Sequence, residues 1–513
     1  MKLQQLKEIY NSCVEYRKYL AKNKCMSNRN DVSEYWKEIL HWRNNFPSFK
    51  EMLKMRQGST DPLETGKRAN YKYEYKYARS CYSVWSKSVP ESYLSNLKEN
   101  DFGLPLRFDI NGQRLSAGAI FNALTSYRVI EWCKKRGLFN RPLRILEIGA
   151  GYGQMAYQLL HNLNIKNYTI CDLPENLFLS SFYLGANFLD RPLNFLKEDD
   201  LGKDNLAGFV FLVPPFVKNL SGEYDLIINS HSFQEMNLQS VNEYFELAQK
   251  TITPDGIFYS LNAHRKAGVI YPSDYQVERF NLVSFSSARK LPHHFIFATN
   301  PYEMILTKLT TSQLTGNALN NFKQQFDALG FMLQLGLDYE ISDLYSKFTE
   351  FKLNHSEILF LGVIYKFIHS PDYADKKKLL IKMRQINILM GIIAFLEGSL
   401  EFAMEHQKEA AAFLEDALNK LVDSSAKARC YIMLSCLTHK SGEKVAACDN
   451  YAKAEEILPH LSVEILGWRN DYYGLINQVA YQLYLALPEP PTFWKIQFGR
   501  VKRKLIHMRD RER

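Results

Sequence analysis

Residues 144–154 read RILEIGAGYGQ: a short apolar run followed by Gly149, Gly151 and Gly153 at alternate positions. This is the most constraining stretch of the chain. The run has the look of a buried strand, and Met155, Leu159, Leu160 and Leu163 then recur on one face of a following helix. A strand that turns into a helix through three glycines leaves bare backbone at the turn, where a ligand can lie and a Cβ would collide with it. The spacing separates the candidate ligands. A dinucleotide fingerprint of the form G-x-G-x-x-G needs glycine at 154, where the chain has Gln154. Glu147 stands two residues before the first glycine, and a carboxylate there would repel a pyrophosphate but suits a cationic ammonium group. S-adenosylmethionine (SAM) fits both details and NAD neither. A second apolar run, 168–171, ends in Asp172, 19 residues after Gly153, where a carboxylate can accept from the hydroxyls of a ribose.

These elements lie inside an alternation of strand and helix that spans about 106–310. A helix is expected over 116–134, strands over 144–148, 168–171, 209–213, 225–229 and 256–261, and helices over 154–162, 174–189 and 241–251. Segments 294–299 and 303–308 read as a closing hairpin. Five parallel strands with crossover helices and such a hairpin define the expected fold class, an α/β Rossmann-like sheet.

This stretch resembles the class I SAM-dependent methyltransferases and, within them, the sugar O-methyltransferase family. The narrower likeness is carried by CDLPENL at 171–177 and INSHSFQEM at 228–236. The resemblance implies a seven-stranded sheet. It also implies SAM over the ends of the first two strands, held by Glu147, Gly149, Ala150, Gly151, Gly153, Asp172, Leu173 and Asn229, with an acceptor hydroxyl above the fourth and fifth strands.

Methyl transfer to a hydroxyl needs alignment and removal of a proton. His231, just past the fourth strand, and His264, after the fifth, are the candidate bases, because an imidazole takes a proton near neutral pH. Glu235 follows His231 by four residues and would share its helix face if the loop winds up, orienting the imidazole or binding the acceptor. Asn262, Tyr271 and Asp274 are candidate partners for a polyol, and Val213 and Pro214 for the adenine. The segment after the fourth strand has no aspartate and no compact carboxylate cluster is visible, so no metal is expected.

The flanks are of other kinds. Residues 1–105 read as mostly helical, opening on an amphipathic helix instead of a secretory signal. From 311 to 490 the periodicity is helical throughout. There Gly398, Ala410, Leu414 and Ala417 recur 37 residues later as Ser435, Ala447, Tyr451 and Ala454. Small residues at those spacings resemble a tetratricopeptide-type repeat, with a plain helical bundle as the other reading. Such a module would offer a surface to a protein partner. The tail 491–513 is basic: from 494 onward it holds eight Lys/Arg against two acids, so most of the net charge of +9 sits there and the body is near neutral. A nucleic-acid role is therefore not expected. Contact of the tail with an anionic membrane or glycan stands against a merely solvated terminus. The eight cysteines form no C-x-x-C pair, and the longest apolar run, 388–396, is too short to span a bilayer, so a reducing, cytoplasmic setting is expected.

The leading functional expectation is an O-methyltransferase of a sugar or glycan precursor. Methylation of another small or lipid-linked acceptor, and a non-catalytic adaptor working through the helical module, are the alternatives.

Overall fold

The computed structural model describes residues 2–25, 47–57, 89–200, 206–263, 272–287, 301–309, 314–335, 337, 341–421 and 424–457, together with 75, 78, 79, 82 and 86. The basic tail, His264, Tyr271 and the segment 294–299 lie outside them. The chain divides into two compact units, one of residues 1–334 and 342–365, the other of residues 335–341 and 366–513. Among the described residues no helix is long and apolar enough to cross a membrane.

The first unit is built on strands. A small hairpin, β1 (Arg107–Ile110) and β2 (Gln113–Ser116), leads into helix α2 (Ala117–Lys135); helix α1 is Lys2–Lys22. The main sheet then takes β3 (Leu143–Ile148), β4 (Ile165–Cys171), β5 (Leu193–Phe195), β6 (Gly208–Leu212), β7 (Tyr224–Ser230), β8 (Ile252–Ala263), β9 (Phe280–Ser287) and β10 (Pro301–Lys308). Their order across the sheet is β5-β6-β4-β3-β7-β8-β10-β9. The pairs from β5 to β8 are parallel, and β10 runs antiparallel to both its neighbours.

This is a Rossmann-like sheet of the class I methyltransferase type, with eight strands among the described residues where seven are expected. The additional one is β5, three residues too short to announce themselves in the sequence. At the other end, the outer strand against β10 is Phe280–Ser287, which the sequence reading passed over because its apolar residues are interrupted by Asn281, Ser284 and Ser286.

Why the central strands lie inside is plain from their composition. β4, β6 and β7 bury nearly every residue, the pattern of a parallel sheet covered on both faces. Helices α3 (Gln154–Leu160), α4 (Pro174–Asn187) and α5 (Leu238–Thr251) follow β3, β4 and β7. Asn237 caps α5 by accepting from the Ser240 N–H at 2.8 Å, and Pro174 opens α4. Arg128 of α2 grips the antiparallel edge: its Nε and Nη2 both donate to the buried Glu303 carboxylate on β10, which also accepts from Tyr259 Oη of β8 at 2.8 Å. Helix α1 packs on α4, and Tyr16 reaches past it to donate to Leu196 O at 2.8 Å.

The described residues of the second unit are helical. Two hairpins, Met390–Ala403 with Gln407–Lys420 and Ser424–Lys440 with Lys444–Ile457, follow one another in the chain. Gln407–Lys420 and Lys444–Ile457 are offset by the same 37 residues as the sequence pattern. At Gly398 an added Cβ would stand 2.8 Å from the Leu414 side chain. At the corresponding place in the next hairpin, Ser435 Oγ donates to Ala447 O at 2.6 Å. The small residues therefore sit where the two helices of each hairpin pack in close contact.

Candidate active site

The candidate crevice lies where β3, β4 and β7 end side by side, because parallel strands present their carboxyl ends together and open α/β sheets bind ligands there. β3 delivers the glycine loop. Gly149, Gly151 and Gly153 all adopt the left-handed backbone, with φ of 78°, 59° and 89°. The reasons for glycine differ. At 149 a Cβ would fall 2.2 Å from Ser232 Oγ, so the loop after β7 by itself requires glycine there. At 151 a Cβ would meet no protein atom within 4 Å, so that position is open. Ala150, between them, accepts from the Gly153 N–H at 3.0 Å and closes the turn.

Asp172, at the tip of β4, faces this loop. Its Oδ2 accepts from the Gly151 N–H at 2.8 Å, while Oδ1 accepts from the Leu173 N–H at 2.7 Å and from Asn176 Nδ2 at 2.9 Å. The carboxylate is thus aimed by three donors before any ligand arrives. Asn176 escaped notice in the sequence, although its place four residues after Asp172 and two after Pro174 puts it in the first turn of α4.

Glu147 is buried beneath the loop and accepts from Tyr168 Oη at 2.7 Å. Burial raises its carboxyl to about 7. The Tyr168 hydrogen bond pulls the other way, and the charge of Asp172 adds to the rise. A buried acid poised there changes charge readily when a cation comes near.

Asn229 ends β7 and is fully buried. Its Nδ2 donates to Ile148 O at 2.9 Å and to Ser232 Oγ, while its Oδ1 accepts from Asn262 Nδ2 at 2.8 Å. Asn262 Oδ1 in turn accepts from the Gln234 N–H at 3.3 Å. The two asparagines staple the tips of β3, β7 and β8 together.

His231 follows directly. It holds a left-handed φ of 63°, donates its N–H to Leu261 O at 2.7 Å, and sets its ring 5.3 Å from that of Phe121 on α2. The loop does not wind into the helix on which His231 and Glu235 would share a face. After the left-handed residue there is only a three-residue 3₁₀ turn, Phe233–Glu235, and α5 starts at Leu238. The pairing of Glu235 with the imidazole through helical spacing is thereby lost. His264, the other candidate, and Tyr271 lie outside the described residues, and Asp274 sits in the short turn Pro272–Asp274. Val213 is buried at the end of β6. Among the described residues no group of three or more His, Cys, Asp or Glu could hold a metal ion.

No family model matches this sequence, and no curated protein does. Solved structures do. The chain is similar to magnesium protoporphyrin IX methyltransferase from Synechocystis PCC 6803 with bound SAM: 12% identity, 45% of this chain and 97% of that one, TM-score 0.28. It is similar also to an S-adenosylmethionine-dependent methyltransferase from Clostridium acetobutylicum: 12% identity, 36% of this chain and 90% of that one, TM-score 0.25. At such scores the fold class rests on this chain's own strand order.

Proposed function

We propose that the chain is a SAM-dependent O-methyltransferase whose acceptor is a hydroxyl of a sugar or glycan precursor. One observation carries the cofactor: the open position at Gly151, whose N–H is bonded to the Asp172 carboxylate, with the acid Glu147 under the same loop. Bare backbone between two carboxylates suits a nucleoside that carries a ribose diol at one end and an amino-acid cation at the other. A pyrophosphate would meet like charge there.

SAM, when bound, supplies an electrophilic methyl on a cationic sulfur. The chain's own residues do the rest. Glu147, ionised, is the counter-charge of the ammonium. Asp172, already aimed by Gly151, Leu173 and Asn176, receives the ribose hydroxyls. Ala150 and Leu173 contribute backbone on either side. His231, at the tip of β7 with Phe121 against its ring, is the group that takes the proton from the acceptor hydroxyl. Asn229 and Asn262 hold the strand tips in register beneath it.

The sugar acceptor rests on the likeness of the 171–177 and 228–236 segments to the sugar O-methyltransferases. The two hairpins, whose second helices are offset by 37 residues, support a tetratricopeptide-like module that recruits a protein partner. Titration calorimetry with SAM and S-adenosylhomocysteine tests the cofactor. Absence of binding would leave the non-catalytic adaptor as the better reading. Radiolabelled SAM offered with nucleotide sugars, extracted glycans and lipid-linked intermediates tests the acceptor, and label appearing only in the lipid fraction would replace the sugar.

A further inference from the structure

A residue from the N-terminal region, Arg56, places a buried cation against the glycine loop. Arg56 is 4% exposed. Its guanidinium lies 5.8 Å from the ring centre of Tyr152, the residue between Gly151 and Gly153, and 5.5 Å from that of Tyr183 on α4. It donates to Glu99 Oε1 at 2.9 Å, to Ser116 Oγ at 3.1 Å and to Asn100 Oδ1 at 3.3 Å. The second Glu99 oxygen accepts from the Ser116 N–H at 3.0 Å, and Ser116 is the residue that caps α2.

The network closes onto the loop from the other side as well. Asn100 Nδ2 donates to Tyr183 Oη at 2.8 Å, which donates to Oε1 of Gln154, the first residue of α3, at 2.7 Å. The backbone joins in: the Arg56 N–H donates to Gly103 O at 2.8 Å, and Gln158 of α3 donates to Lys98 O at 2.6 Å. Burying an arginine is costly unless it is paired and hydrogen-bonded, and here every partner belongs either to the glycine loop, to a helix that starts beside it, or to the 98–103 segment that ties them.

We infer that Arg56 and Glu99 are positioning residues for the cofactor loop: the pair holds Tyr152 and the starts of α2 and α3 so that the loop is set before a ligand binds. This rests on the reading of the crevice as a SAM site. A loop already fixed loses less freedom on binding, so the pair acts on affinity and not only on stability.

The test compares Arg56→Met, Arg56→Lys and Glu99→Gln with Tyr16→Phe, which removes a buried hydrogen bond of α1 to Leu196 away from the loop. SAM affinity is measured by calorimetry well below each melting temperature. Amide hydrogen exchange of residues 149–154 is followed in the ligand-free proteins. Arg56→Met is expected to weaken SAM binding by about tenfold or more and to speed exchange of the loop amides by a similar factor, with Arg56→Lys intermediate. Tyr16→Phe is expected to lower the melting temperature while affinity stays within about twofold. Should Arg56→Met fail to fold, Glu99→Gln, which keeps the side-chain shape, is expected to give the same two changes. Variants that fold with wild-type affinity and wild-type loop exchange would overturn the inference, as would an equal loss of affinity in Tyr16→Phe. Wild-type protein that binds no SAM would refute the cofactor reading instead, and loop exchange would still decide whether Arg56 orders the loop.

Discussion

The N–H of Gly151 and the carboxylate of Asp172 are joined at 2.8 Å across the mouth between β3 and β4. One residue is the open point of the glycine loop, the other the acid at the next strand's tip. Because the carboxylate holds the loop amide, a change at Asp172 reaches the loop as well.

Asp172→Asn should therefore weaken binding of SAM and of S-adenosylhomocysteine by about 10- to 100-fold, since charge-assisted hydrogen bonds to a carboxylate are roughly twice as strong as neutral ones. Titration calorimetry reads this directly. Equal affinities in the two proteins would remove Asp172 from the ribose.

Gly149 and Gly151 should respond differently to the same substitution. Gly149→Ala puts a methyl 2.2 Å from Ser232 Oγ at a φ of 78° and should cost stability well beyond the roughly 1–2 kcal/mol of the left-handed backbone alone. Adding Ser232→Gly should restore the part due to collision and leave the backbone part. Gly151→Ala meets nothing within 4 Å and should cost only the backbone part, yet it should abolish ligand binding. Chemical denaturation and calorimetry on the same four proteins separate packing from ligand clearance.

Glu147 makes affinity depend on pH. Burial raises its carboxyl to about 7, above its ordinary value of 4.5. The folded protein holds that proton where the unfolded chain has released it, so this group's contribution to stability falls as pH rises from 4.5 to about 7. A cationic ligand prefers the ionised form. Affinity for SAM should rise with pH up to about 7 and then level off, and binding at about pH 6 should release a proton that binding at about pH 8 does not. Calorimetry in buffers of different ionisation enthalpy measures the proton. Glu147→Gln should flatten the profile.

His231→Asn is the informative change at the proposed base, because asparagine tolerates the left-handed φ of 63° that histidine holds there. Turnover should fall by roughly 10²- to 10⁴-fold with SAM affinity unchanged within about twofold. Unchanged turnover would take the proton elsewhere.

Much of this architecture was legible in the sequence because its signals are local. The run 144–154 encodes a buried strand, a left-handed turn and a helix start within eleven residues, and Asp172 is reached by counting. What escaped depends on contacts distant in the chain. Ser232 explains Gly149 only once β7 lies beside β3, and Tyr168 becomes the partner of Glu147 only through strand pairing. Arg56 is one of 64 Lys and Arg residues, and nothing near it in the sequence tells that it is buried between two phenol rings. The helix face that His231 and Glu235 would share does not form, for the opposite reason. A spacing of four implies a shared face only where the backbone is helical, and a left-handed residue at the start of that loop forbids it.

The three-residue strand β5 ends the sheet on its parallel side, and α1 lies across that end. Tyr16 bonds Leu196 O and sets its ring 4.9 Å from Phe195, and the Glu198 N–H donates to Tyr19 Oη at 3.0 Å. A sheet that stops at an uncovered strand offers its spare N–H and C=O groups to any other chain. Trimming the protein to the part that looks catalytic, by cutting away its first 22 residues, would bare that border and leave a strand on which further copies can pair.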